Sequence, residues 1–74
     1  MEKNDEQLIR SLLDKDAELK RFYDEHVDLE RQITLFQEKT YLTPDEEFQK
    51  KRLQKLKLAG KDRIMEILAR YRDH

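Results

Sequence analysis

His26 is the residue of this chain that most invites a functional interpretation. A neutral imidazole can bind a metal ion, and its protonation equilibrium lies near neutral pH. Di-metal sites in helical bundles use a glutamate three residues before the histidine, and that position holds Tyr23. Glu30, one helical turn further on, is the only ligand-type residue well placed beside His26. We therefore interpret His26 as a polar interface residue bonded to a neighbouring carboxylate or backbone group, with pH-sensitive association as an open alternative, and we predict no metal or cofactor.

Closely spaced carboxylates could serve as a general acid and base, and they occur at Asp24, Glu25 and Asp28. Such a pair needs a cleft that shifts the pKa values of its members. Nothing in the sequence around these residues predicts a cleft, so we interpret them as a solvated helix face. We expect no catalytic residues and no enzymatic activity.

Binding of phosphate groups is the third chemistry that the sequence offers, through the basic segment 50–63, KKRLQKLKLAGKDR. On a helix these cations point in nearly every direction except the apolar face, and no aromatic residue is interleaved with them. A small nucleic-acid-associated protein that uses this segment is the alternative function, although the acidic first half of the chain argues against it. Binding to an anionic membrane would need an apolar face free for lipid, and we expect no membrane binding.

The composition indicates long helices that would position these residues. The chain has 74 residues, enough for one small domain, with 45 % charged and 36 % hydrophobic residues, one glycine and one proline. Such a composition is typical of coiled coils. The absence of cysteine excludes disulfides and thiolate metal sites. The acidic N-terminal residues predict no signal peptide, so we expect a cytoplasmic protein.

The segment TYLTPDEEF, residues 40–48, predicts a break between two helices. Thr43 and Glu46 have the spacing of a capping box, in which each side chain bonds the other residue's amide. Pro44 falls at the first helical position, where its missing N–H has no cost, and acidic residues follow it in the first turn. Asn4 gives a similar start signal. We therefore predict helix 1 from about 5 to about 39, a turn at 40–43 and helix 2 from about 44 to about 71, within one domain, 1–74.

Apolar residues recur at heptad spacing in both predicted helices, as expected for a coiled-coil interface. The predicted interface residues of helix 1 are Leu12, Leu19, Phe22, His26, Leu29, Ile33 and Phe36, with Lys15 as a second polar member. Those of helix 2 are Leu53, Leu56, Gly60, Ile64, Ile67 and Tyr71. A flanking stripe of helix 1 contains Ile9, Leu13, Tyr23 and Val27.

Antiparallel pairing of the helices brings specific residues face to face. The predicted opposing pairs are Phe36 with Phe48, Leu29 with Leu53, Phe22 with Gly60, Leu19 with Ile64 and Leu12 with Tyr71. A large ring facing a residue without a side chain would offset the cost of about 1 kcal/mol that glycine imposes on a helix interior. A tolerated surface glycine or a local bend is the alternative for Gly60.

The charge distribution favours the same pairing. Residues 1–47 carry 14 acidic and 7 basic side chains, whereas residues 48–74 carry 3 acidic and 9 basic ones. Contacts between helix 1 and helix 2 are therefore attractive, and contacts between like helices are repulsive. Because two helices enclose no core, we expect the flanking stripes to stay exposed in a single chain. We predict an all-α, two-helix antiparallel hairpin that dimerises into a four-helix bundle, with a higher oligomer as the alternative.

The segments FYDEHVDLERQI, residues 22–33, and KLAGKDRI, residues 57–64, resemble the YdcH-like family of small bacterial proteins, a domain of unknown function. Leu19, Phe22 and His26 fit the first half of the family pattern, and the lysines and Ile64 of the second segment fit the other half. Gly60 departs from the pattern, since the family often has leucine there. The resemblance implies a self-associating helical hairpin and brings no known activity. Together these observations predict a non-enzymatic coiled-coil interaction module. We expect it to form a homodimer, and binding to another protein is a further option.

Overall fold

The computed structural model describes residues 3–72, which form three helices: α1 (Lys3–Leu12), α2 (Ala17–Gln37) and α3 (Pro44–Arg72). The described part of the chain contains no strand, which confirms the predicted all-α class. None of its helices combines the length and the apolar character needed to cross a bilayer. Because α1 is a separate element, the chain forms three helices where two were predicted.

The prediction of one continuous helix from about 5 to about 39 is wrong, because the chain turns at 13–16. Asp16 has extended backbone angles (φ −127°, ψ 100°), and its Oδ1 accepts a 3.0 Å hydrogen bond from the Leu19 amide. Asp16 is therefore the N-cap of α2. The amides of Lys15 and Asp16 both donate to the Leu12 carbonyl at 2.9 Å, which ends α1. Lys15 lies exposed in this turn and not at a helix interface, and Asn4 lies inside α1 and not before it.

The turn at 13–16 lets α1 pack against the ends of the two longer helices. The buried core cluster consists of Ile9, Leu12, Leu19, Ile64, Ile67 and Leu68. Fully burying an aliphatic side chain of this size stabilises a fold by about 1.5–3 kcal/mol. The expectation that the whole flanking stripe stays exposed in one chain is therefore wrong for Ile9, which is fully buried. Val27, in the same stripe, remains largely exposed.

The connection between α2 and α3 spans 38–43 and carries the two hydrogen bonds of the capping box. The Thr43 amide donates to Glu46 Oε1 and the Glu46 amide donates to Thr43 Oγ1, both at 3.1 Å. Pro44 is the first residue of α3. Lys39 pairs with the Glu46 carboxylate, and this hydrogen bond is the main cause of the lowered pKa of Glu46. The connection is thus held at both of its ends.

Helices α2 and α3 run antiparallel along each other, as contacts at three levels show. Lys39 pairs with Glu46 beside the connection, Glu30 pairs with Lys57 midway at 3.4 Å, and Asp16 bonds Tyr71 at the other end. The core cluster lies at the end where all three helices meet. Towards the connection only two helices contact each other, and Ile33 is the buried aliphatic residue there.

A candidate interaction surface

An open apolar groove of about 520 Å³ runs between α2 and α3. Its lining residues are Phe22, Glu25, Asp28 and Leu29 from α2, and Leu56, Ala59, Gly60 and Arg63 from α3. Phe22 and Leu29 are half-buried, and Leu56 is 49 % exposed. No residue of α1 lines the groove, so the helix that completes the core leaves this surface uncovered.

The floor of the groove is open at Gly60. A Cβ atom placed on Gly60 would meet no heavy atom within 4 Å. Phe22 and Gly60 line the same groove, as the predicted pairing requires, but the Phe22 ring does not fill the space above the glycine. The expectation that close packing of Phe22 offsets the helix cost of Gly60 is therefore wrong within a single chain.

The two rims of the groove carry opposite charges. Glu25 and Asp28 lie on the α2 rim, and Arg63 lies on the α3 rim. The Arg63 guanidinium lies 5.9 Å from the centre of the Phe22 ring, and that of Arg21 lies 4.9 Å from it. Both distances are within the range of a cation–π contact. Two cations, one from each helix, thus lie near the Phe22 ring at the wall of the groove.

Further apolar side chains are exposed towards the 38–43 connection. Leu35 is 59 % exposed and Phe48 is 70 % exposed, and Leu35 and Phe36 line a second open groove. Any pairing of Phe36 with Phe48 therefore leaves most of the Phe48 ring exposed. Phe48 is the fifth residue of α3, and its ring lies beside the basic residues of the next two turns.

His26 lies between α2 and α3 and is 6 % exposed. Its Nε2 lies 3.3 Å from Glu30 Oε1, and the same oxygen lies 3.4 Å from Lys57 Nζ. The buried Nδ1 has no hydrogen-bond partner among the described residues. Burial lowers the pKa of His26 below 6.5, opposed by the Glu30 carboxylate and assisted by the charge of Lys57. The imidazole is therefore held in its neutral form.

The residues predicted for the helix interface divide into three groups by exposure. Leu12, Leu19, His26, Ile33, Ile64 and Ile67 are buried. Phe22, Leu29, Phe36, Leu53 and Gly60 are half-buried, whereas Leu56 and Tyr71 are exposed. Tyr71 is 40 % exposed, and its hydroxyl bonds Asp16. The interface residues that are buried thus concentrate where α1 contributes to the core.

Asp16 is the residue that sequence reasoning missed. Its signal was present as an N-cap residue three positions before Leu19, within the stretch DKDAE. The glutamate that completes a capping box is absent there, since the corresponding position holds Leu19, and no proline or glycine marks the break. The regular apolar spacing across residues 12–19 therefore hid a real helix start.

Comparison of the chain with family models, with characterised proteins and with solved structures gives no match.

Proposed function

We propose that this protein is a non-enzymatic helical interaction module that associates with a second copy of itself through the groove between α2 and α3. The observation that carries the proposal is the groove itself, with apolar walls and an open floor. A contiguous apolar surface of this kind on a small protein is typical of an interaction site. In this proposal α2 and α3 form the hairpin that contributes two helices to a four-helix bundle.

The small size of the chain supports self-association. A domain of 74 residues buries a limited share of its surface, and its own core is correspondingly marginal. Here the core cluster occupies one end, where α1 packs, while the rest of the α2–α3 pair has an uncovered apolar side. A second copy would cover Leu56 and Leu29 and give the two-helix part a core of its own.

The resemblance to the YdcH-like family leads to the same proposal, because it implies a bacterial helical hairpin that self-associates. His26 and the segment around it are part of that resemblance. Membership of the family and a cytoplasmic location belong to the proposal.

The test is sedimentation equilibrium across micromolar concentrations, with two matched variants. Leu56→Glu places a charge in the groove, and Leu58→Glu places the same charge on the same helix outside it. Leu56 is 49 % exposed and Leu58 is 60 % exposed, so each variant is compatible with the folded chain. We expect a wild-type dimer, a monomeric Leu56→Glu variant and a dimeric Leu58→Glu variant.

Two results would contradict this proposal in different ways. A folded wild-type monomer at all concentrations would exclude self-association. If the Leu56→Glu variant dimerised as well as wild type, self-association would be supported, but the interface would have to lie outside the groove.

Nucleic-acid binding is the second candidate, favoured by the surroundings of Phe48. Its exposed ring lies beside Lys51, Arg52 and Lys55. A basic patch around an exposed aromatic ring can contact phosphates while a base stacks on the ring. Mobility shift of single-stranded DNA and RNA near physiological salt tests it, with Phe48→Ala as the variant. Binding that falls with salt and with the loss of Phe48 would support this candidate, and no shift would exclude it.

A further inference from the structure

The open space at Gly60 and the ring of Phe22 lie on opposite walls of the same groove. Arg63, one helical turn after Gly60, reaches over the Phe22 ring, and all three residues line the groove. A Cβ at Gly60 would meet nothing within 4 Å, so the α3 wall has room for a side chain from outside the molecule. The chain therefore presents a large half-buried ring and an open gap on opposite walls of one groove.

Two identical grooves can face each other about a two-fold axis in two simple ways. With the axis parallel to the helices, α2 of each copy lies on α3 of the other. Each residue then keeps its level, which is its position along the helix axes. With the axis across the helices, α2 lies on the partner's α2 and α3 on the partner's α3, and the levels are reversed. The two arrangements bring different rims together.

Charge distinguishes these arrangements. Helix α2 carries five acidic and three basic residues, whereas α3 carries five acidic and nine basic ones. At the groove, an axis across the helices sets Glu25 and Asp28 against an identical acidic rim, and like charges in register oppose docking. An axis parallel to the helices sets the same acidic rim against the partner's α3, which carries Arg63 at the groove and has more basic than acidic residues.

We infer that the second copy docks about an axis parallel to the helices, with Phe22 of each chain filling the space above the partner's Gly60. This inference rests on the proposed function and specifies its geometry. Because that axis leaves levels unchanged, the Phe22 ring arrives at the level of the partner's Phe22, which the predicted antiparallel pairing places opposite Gly60. Gly60 is then the position that admits the partner's ring, and the two acidic residues of the α2 rim select α3 as the surface it meets.

Disulfide trapping tests the docking geometry, and the chain has no cysteine of its own to interfere. Two single variants, Glu25→Cys and Ala59→Cys, are mixed in a glutathione buffer, one of them isotopically labelled so that mass spectrometry identifies each pair. The docking geometry predicts that the mixed disulfide between the α2 rim and the partner's α3 rim exceeds both homodisulfides. Asp24→Cys and Asp62→Cys, exposed and outside the groove, form the control pair.

Filling the gap gives a second, independent test. Gly60→Leu keeps an apolar helix but occupies the space above residue 60, and Ala69→Leu makes a comparable enlargement at an exposed site of α3 outside the groove. We expect Gly60→Leu to weaken dimerisation roughly tenfold or more, because a packed contact must be displaced, and Ala69→Leu to leave it unchanged. Circular dichroism confirms that both variants are folded.

The outcomes separate the docking geometry from the proposed function. The docking geometry would be overturned if the mixed disulfide did not exceed the homodisulfides, or if Gly60→Leu left the affinity of the dimer unchanged. Self-association would remain intact in either case. A wild-type chain that sediments as a monomer would overturn both.

Discussion

The hydroxyl of Tyr71 donates a 2.6 Å hydrogen bond to Oδ2 of Asp16, and so joins the last turn of α3 to the residue that starts α2. The other carboxylate oxygen of Asp16 accepts from the Leu19 amide. The hydrogen bond from Tyr71, followed by the one from Leu19, lowers the pKa of Asp16, and the same carboxylate raises the pKa of Tyr71. One side chain thus ends the turn at 13–16 and ties it to α3.

Replacing Asp16 separates its two roles. Asp16→Ala removes both the cap and the acceptor of the Tyr71 hydrogen bond, and should lower the free energy of unfolding by at least about 1 kcal/mol, the usual loss for an N-cap alone. Asp16→Asn should lose less, because asparagine also caps helices well. Tyr71→Phe removes the inter-helix hydrogen bond and keeps the cap. Urea unfolding of the three variants measures these differences, and an Asp16→Ala variant as stable as wild type would show that α1 and α2 are not separated by a capped turn.

Acid should destabilise the fold through His26. Its pKa is lowered in the folded chain, so the unfolded chain binds the proton more readily and stability falls as the pH drops below about 6.5. The groups that face the imidazole are Glu30 on its own helix and Lys57 on α3. Thermal unfolding between pH 8 and pH 5 measures the effect.

Two histidine variants make this pH test specific. His26→Asn should flatten the dependence of stability on pH between pH 7 and pH 5. His74→Asn, at the only other histidine of the chain, should retain it. An unchanged slope in His26→Asn would mean that the imidazole does not carry the effect.

Gly60→Ala should stabilise the single chain by about 1 kcal/mol. Alanine has the higher helix propensity, and its Cβ meets no other atom at this position. Urea unfolding below the concentration at which the protein associates measures the gain. Ala59→Gly, at the neighbouring exposed residue, should lose a similar amount. Destabilisation by Gly60→Ala would indicate that the space above Gly60 is occupied within the chain.

Ile9→Ala should lower the free energy of unfolding by about 2–5 kcal/mol, the range for truncating a fully buried isoleucine. Leu35→Ala, at a residue of α2 that is 59 % exposed, should change it by about 0.5 kcal/mol or less. Both effects should be independent of protein concentration if α1 packs within its own chain. Equal small effects would mean that α1 does not contribute to the core.

The start of α3 was predictable because several signals coincide within a few residues. The capping residues Thr43 and Glu46, Pro44 between them and the acidic first turn all act locally, so no knowledge of the rest of the fold is needed. Glu30 as a neighbour of His26 followed from helical spacing in the same way. The burial of Nδ1 without a partner among residues 3–72 did not, because it depends on what the other helices place around the ring.

The turn at 13–16 could not be predicted with the same security, because its single local signal, Asp16, competed with apolar spacing that fitted a longer helix. A tertiary contact favours the turn, because Ile9 and Leu12 are buried in one cluster with Ile64 and Leu68 when the chain folds back. Heptad counting predicted that Phe22 and Gly60 face each other, and both line the same groove, whereas the open space at Gly60 depends on the distance between the helix axes.

Because the core lies where α1 joins the other helices, resistance to opening is unequal along the molecule. In the single chain, the tip formed by residues 38–43 and the adjoining turns has two helices and few buried side chains to hold it. Transient fraying should begin there, so a protease acting on the native chain would cut first near Tyr41, which is 86 % exposed, and last in the three-helix end.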